Sequence, residues 1–193
     1  MRHPEIPLVH GLCALAERYD GFILDLWGVL HDGVSPYPGA VECMRRLHAA
    51  GKRIAILSNA PRRAEEVARR SAEIGIPPEL YHLLHSSGEE TWLHLKDRSD
   101  PFDRALGRAC YHLGPERDRG LLDGLDLDEV HAVDKASFLL NTGAHMSQSE
   151  AADYEPVLAP AAKLKVPMVC ANPDLEVIRG GVREICAGML ALR

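Results

Sequence analysis

The sequence predicts an α/β fold built around parallel strands, and three observations carry that expectation. Two short apolar runs, Phe22 to Leu24 and Arg53 to Leu57, each end in polar residues, at Asp25 and at Ser58-Asn59. Each run is followed by a stretch with helical spacing. The connection between the runs is about 30 residues, the length a crossover between parallel strands requires. A right-handed crossover then predicts a three-layer arrangement with helices on the faces of the sheet.

The first run is a buried strand, and Gly28, Gly33, Pro36, Pro38 and Gly39 mark the long loop after it. Pro38 suits the first turn of a helix, Val41, Met44 and Leu47 share one face, and Gly51 stands where a helix ends in a left-handed residue. After the second strand, Pro61 is expected to open another helix. Glu65 and Glu66 would lie near its positive end, Arg69 and Arg70 near its negative end, and Gly75 after it. Leu83 to Ser86 is a candidate third strand.

Beyond Gly88 the alternation continues less regularly. A helix over Glu89 to Leu95 leads through a charged loop, Lys96 to Asp103, to an apolar run around Arg108 to Leu113 and an acidic turn from Pro115 to Asp128. Ala136 to Leu140 and Val166 to Ala171 read as strands, with helical sequence from Asp153 to Leu164 between them. The last stretch, Val182 to Arg193, reads as an amphipathic helix with Ile185, Met189 and Leu190 on its apolar face. These elements predict a second, small α/β unit.

The 193 residues are 46% hydrophobic and 26% charged, which is the composition of a folded domain and excludes disordered and collagenous chains. With 22 Lys and Arg against 28 Asp and Glu, the net charge of -6 argues against a general nucleic-acid binder. No apolar run reaches membrane-spanning length, since Asp25 interrupts the most apolar segment, Gly21 to Leu30. Residues 1–8 carry Arg2, Glu5 and two prolines where a signal peptide would have an apolar stretch, so the expected location is the cytoplasm. The five cysteines are widely spaced without a C-x-x-C pair, which signals neither a disulfide framework nor a cysteine zinc site.

In an open parallel sheet the ligand crevice lies outside the carboxyl ends of the strands, so Asp25 and Ser58 should line it together. A carboxylate ending a buried strand needs a cation, a metal or several donors, and magnesium suits one or two carboxylates plus a phosphate. Asp25 could instead cap the turn through the amides of Gly28 or Val29. Ser58 and Asn59 ahead of a helix could form a phosphate site, or simply an N-cap pair.

The run Asp25-Leu26-Trp27-Gly28-Val29-Leu30, followed by His31-Asp32-Gly33 and by Ile54-Ala55-Ile56-Leu57-Ser58-Asn59, resembles the opening of the haloacid dehalogenase-like (HAD) phosphohydrolases. Within that superfamily it is similar to the class IIA branch, the sugar and p-nitrophenyl phosphatases, whose α/β cap is inserted after the second motif. Leu84 to Glu89 resembles the start of such a cap, and Cys170-Ala171-Asn172-Pro173-Asp174 its end. The resemblance implies a Rossmann-like core in residues 1–87, a cap in 88–171 and a return to an incomplete core in 172–193.

It also implies phosphoryl transfer from a small phosphorylated substrate, with Asp25 as the nucleophile that forms an aspartyl-phosphate. Ser58 and Asn59 would hold the transferring oxygens, Asn172 and Asp174 would contribute to substrate binding, and Mg2+ would sit on Asp25 and the backbone carbonyl of Trp27. Two departures qualify this. The family's second aspartate, the acid/base group, is replaced here by Trp27, whose indole cannot transfer a proton, leaving His31 and Asp32 as the nearest titratable groups. The lysine and the acidic motif that follow the family's cap have no counterpart after Asp174. The expectation is therefore a C-terminally truncated enzyme, or alternatively a degenerate member that binds a phosphorylated ligand or a protein without turnover. Exposed apolar surface on the last helix and the sheet edge would favour a homo-oligomer.

Other motifs carry less. Asp126-Leu127-Asp128 matches a D-x-D metal pattern but lies in an acidic turn, and Arg62-Arg63 with Arg69-Arg70 reads as a solvated helix face. No G-x-G-x-x-G, Walker A or G-x-S-x-G sequence occurs.

Overall fold

The computed structural model describes residues 8–145 and 149–193. The reading of the chain's start as lacking a signal peptide rests almost wholly on residues outside these. A short helix α1 (Cys13–Ala16) precedes β1 (Gly21–Leu24), α2 (Ala40–Ala49), β2 (Arg53–Ser58), α3 (Ala64–Ile74) and β3 (Leu83–Ser86). The three strands form a parallel sheet in the order β1-β2-β3.

Both connections run in the same direction along the sheet, and right-handed crossovers then place both helices on one face. Met44 and Leu47 of α2 and Val67 of α3 pack there with Ile54, Ile56 and Leu84. The opposite face is uncovered: Ile23, Leu57 and Leu83 are 75%, 55% and 58% exposed. The expected three layers are thus two in this part of the chain.

Helix starts also differ from expectation. Pro38 precedes α2, whose N-cap is Gly39, and Pro61 lies three residues before α3. Glu89 from the next helix holds the start of α3 in place by accepting from the Ala64 amide and from Arg63.

The second unit begins with α4 (Ser87–Asp97), capped by the Ser86 hydroxyl, and α5 (Pro101–Ala105). It continues through β4 (Ala109–Leu113), β5 (Asp128–Glu129), β6 (Phe138–Asn141), α6 (Glu155–Leu164) and β7 (Met168–Cys170). Its parallel sheet runs β5-β4-β6-β7, with crossovers leaving β4 in both directions. Helices therefore cover both faces, and every residue of β6 is buried. Leu139 packs with Leu113 and Leu158 on one side, while Phe138 and Leu140 pack with Leu95 and Leu106 on the other. Burial on both faces explains the unbroken apolar run of this strand.

The chain closes with a hairpin, β8 (Glu176–Arg179) and β9 (Val182–Ile185), and a short helix α7 (Ala187–Ala191). This corrects the expected helix over 182–193. Gly180 and Gly181 both have positive φ, 52° and 82°, which is the two-residue hairpin turn that matches strand twist. The apolar positions expected on the last helix, Ile185 and Leu190, are buried against the second sheet, while Leu192 at its end is exposed. Among the described residues no helix is long and apolar enough to cross a membrane.

Candidate active site

The carboxyl ends of the first sheet's strands open onto a cavity of about 700 Å3, whose far wall comes from the loop before α3, the second unit and the hairpin. All six residues singled out from the sequence line it: Asp25, Trp27, Ser58, Asn59, Asn172 and Asp174. Asp25 follows β1 directly, and one carboxylate oxygen accepts from the Leu26 amide at 2.8 Å, not from Gly28 or Val29. Burial pushes the Asp25 carboxyl up, and the nearby Asp174 charge pushes it further, against the Leu26 hydrogen bond.

Ser58 is buried at the end of β2, with its hydroxyl accepting from the Ala60 amide at 3.3 Å. The N–H of Asn59 has no partner among the described residues, and its side-chain amide donates to Asp174 at 2.9 Å. Because α3 starts at Ala64, Ser58 and Asn59 neither cap it nor lie on its amino end. Asn172 shapes the turn that presents Asp174, its side-chain oxygen accepting from the Asp174 amide at 2.9 Å.

Trp27 occupies the loop above Asp25. Its indole Nε1 donates to the Ile178 carbonyl at 3.0 Å, and the Arg179 guanidinium lies 4.7 Å from its ring centroid. Gly33 passes so close beneath that a Cβ there would come within 2.3 Å of the indole. His31 is buried beside the ring, edge to face at 5.5 Å, and its Nδ1 accepts from the Gly33 amide at 2.9 Å. Burial pushes its imidazole down from the usual range, so the neutral form with hydrogen on Nε2 is favoured. Asp32 instead caps its own turn, accepting from Val34 and Ser35.

The far wall holds residues that the sequence did not single out. Arg62, read from sequence as part of a solvated helix face, turns into the cavity and donates through Nε to Asp118 at 2.5 Å. Arg117 lies 4.0 Å from the same carboxylate, and Arg179 pairs with Glu184 at 3.2 Å. Only Arg62 carried a usable signal, its position four residues after Ser58. The Asp126 and Asp128 pair is spent on Arg108 at the surface, as a solvated turn.

A divalent cation fits the near wall. Two carboxylates, Asp25 and Asp174, face the same space, and among the described residues neither forms an ion pair and the Trp27 carbonyl accepts no hydrogen bond. Oxygen donors of this kind suit magnesium with a phosphate completing its shell. Among the described residues no cluster of three or more His, Cys, Asp or Glu side chains is placed to hold a metal.

A family profile described as haloacid dehalogenase-like hydrolase matches residues 22–128. No curated protein sequence matches the chain. Among solved structures, the chain is similar to a haloacid dehalogenase-like hydrolase from Brucella suis 1330 at 32% identity and a TM-score of 0.85, covering 96% of this chain and 65% of that one. A possible sugar phosphatase of the HAD superfamily from Cytophaga hutchinsonii shares 18% identity with a TM-score of 0.72, covering 96% and 66%. A glycerol phosphate phosphatase from Mycobacterium tuberculosis, solved with calcium, shares 21% identity with a TM-score of 0.62, covering 92% and 50%. The latter two likenesses speak to the fold. The chain spans just under two thirds of the Brucella protein's length and half of the Mycobacterium one. The profile covers more than half of the residues, both larger sheets are parallel as expected, and the chain belongs to the haloacid dehalogenase-like hydrolases.

Proposed function

We propose that this chain carries the nucleophile half of a magnesium-dependent phosphohydrolase acting on a small, sugar-phosphate-like metabolite. The observation that carries this reading is the near wall itself: Asp25 and Asp174, which form no ion pair among the described residues, share one cavity with the Ser58 hydroxyl and the backbone N–H of Asn59. Residues 1–87 and 172–193 are read as core and 88–171 as cap.

In this reading an Asp25 oxygen attacks phosphorus, the ester P–O bond breaks, and water later cleaves the aspartyl-phosphate at phosphorus to release inorganic phosphate and restore Asp25. Ser58 and the Asn59 amide hold the non-bridging oxygens, and Asn172 keeps Asp174 turned toward the cavity. Asp25 and the Trp27 carbonyl would hold the ion, which when bound would supply charge neutralisation at the phosphate.

The leaving oxygen finds no proton donor at Trp27, and burial pushes the His31 imidazole down toward its neutral form. General acid help is worth about two to four powers of ten, so alkyl phosphates should turn over slowly and aryl phosphates, whose leaving groups need no proton, should do better. The test is phosphate release by the intact gene product with Mg2+ on p-nitrophenyl phosphate and on a sugar phosphate, with Asp25→Asn as control. Release abolished by Asp25→Asn supports the reading, and release equal to that control overturns it.

Trp27 favours a second reading, in which a phosphorylated ligand is bound without turnover. Binding of phosphate esters with no hydrolysis above the Asp25→Asn control would select it. The uncovered face of the first sheet, with Ile23, Leu57 and Leu83, supports association of copies of the chain.

A further inference from the structure

The far wall of the cavity is built from three guanidinium groups, Arg62, Arg117 and Arg179, against two carboxylates, Asp118 and Glu184. The excess is one positive charge. Of the other charged lining residues, Glu176 pairs with Arg183 and Arg70 with Glu73, while Asp25 and Asp174 on the near wall form no ion pair among the described residues.

The way the arginines spend their donors is more telling than the count. Arg62 and Arg179 each bond a carboxylate through Nε alone, and Arg117 makes no hydrogen bond at all among the described residues. The paired Nη groups of all three, the fork that grips an oxyanion with two parallel bonds, have no hydrogen-bond partner among the described residues. None of them is sealed away from solvent as an unsatisfied buried donor. The wall is nevertheless held firmly. Asp118 is only 2% exposed and anchors Arg62, while the Trp27 ring and Glu184 fix Arg179.

The groups also feel one another. Desolvation and the charges of Arg62 and Arg179 pull the Arg117 guanidinium down, against the opposing pull of Asp118. An anion placed among the three forks would relieve that strain.

We infer that Arg117 and Arg179, with Arg62 behind them, form a second anion subsite across the cavity from Asp25, so that the substrate class is a phosphate ester whose leaving group carries a further carboxylate or phosphate. Trp27, standing where a proton-transfer group is expected, is then a positioning residue that supports Arg179. The inference rests on the reading of the near wall as a phosphate site, and the experiment separates the two.

The probes are non-hydrolysable: alkylphosphonates of three to six carbons, the same chains ending in a carboxylate, and the same chains ending in a second phosphonate. Binding to the wild-type protein is measured by calorimetry with Mg2+. At least one carboxylate- or phosphonate-ended chain should bind about tenfold tighter than its alkyl counterpart, and the two series tell which oxyanion is preferred. Arg117→Met and Arg179→Met should each shrink that ratio, and the double variant should bring it to within about twofold of unity while leaving alkylphosphonate affinity unchanged. Arg62 stays intact because Asp118 depends on it, and circular dichroism verifies folding. Alkylphosphonate binding without any gain from the second charge, or a gain that survives the double variant, overturns the subsite and leaves the phosphate site standing. Failure of every probe to bind overturns both.

Discussion

The indole nitrogen of Trp27 donates a hydrogen bond to the carbonyl of Ile178, tying the loop after the first strand to a hairpin 151 residues away. The contact explains how a residue unsuited to proton transfer serves at this position: it closes the cavity roof and carries Arg179. Replacing Trp27 by Phe keeps an aromatic face but removes the donor. We expect a loss of about 1 kcal/mol in urea denaturation, with faster amide exchange in residues 176–185 than elsewhere.

Gly33 has φ of +88° and lies under the Trp27 ring, where an added Cβ would come within 2.3 Å of it. A left-handed alanine alone costs about 1–2 kcal/mol, and the collision adds to that by forcing the indole off the hairpin. Gly33→Ala should therefore destabilise by about 2 kcal/mol or more and shift the fluorescence of one of the two tryptophans. Unchanged stability and emission would contradict the packing described.

Asp118 is buried, and desolvation pushes its carboxyl up even though Arg62 and Arg117 pull the other way. Arg62→Met leaves that carboxylate with Arg117 alone. Breaking a buried pair from one side costs about 3 kcal/mol, and stability measured by denaturant titration should fall by that order at neutral pH. Adding Asp118→Asn should restore part of the loss.

His94 donates a hydrogen bond through Nδ1 to the Asp103 carboxylate at 2.8 Å, and that bond, with the Asp103 and Glu90 charges, raises its imidazole above 6.5. A raised folded-state pKa stabilises fully below the unfolded value and loses its contribution as pH climbs through the folded value. Thermal midpoints should decline as pH rises above 6.5, and His94→Gln should flatten that decline.

Leu57 and Leu83 are diagonal neighbours on adjacent strands of the uncovered sheet face, Leu83 opposite Ala55 and Leu57 opposite His85, and both are more than half exposed. Lysine at both positions should cost little stability and should lower the apparent mass in light scattering if copies associate through this face. An unchanged mass distribution would place association elsewhere.

Much of the fold is legible along the chain because short-range rules dictate it. The apolar runs at Phe22 and Ile54, the face shared by Met44 and Leu47, and the left-handed Gly75 at the end of α3 all follow from local periodicity and backbone preference. In the last segment Ile185, Met189 and Leu190 mimic a helical face, while the turn chemistry of Gly180-Gly181 decides for a hairpin.

Sequence by itself determined the family, the parallel α/β architecture and the gathering of Asp25, Ser58 and Asn59 at one sheet edge, since each depends on strand ends and loop lengths. Tertiary structure alone decided what faces that edge. Arg62, Arg117 and Arg179 come from a loop, the second unit and the hairpin, and no spacing in the chain relates them. Their meeting depends on how two sheets dock and on Asp118 being buried between them, which are long-range packing effects that local sequence does not encode.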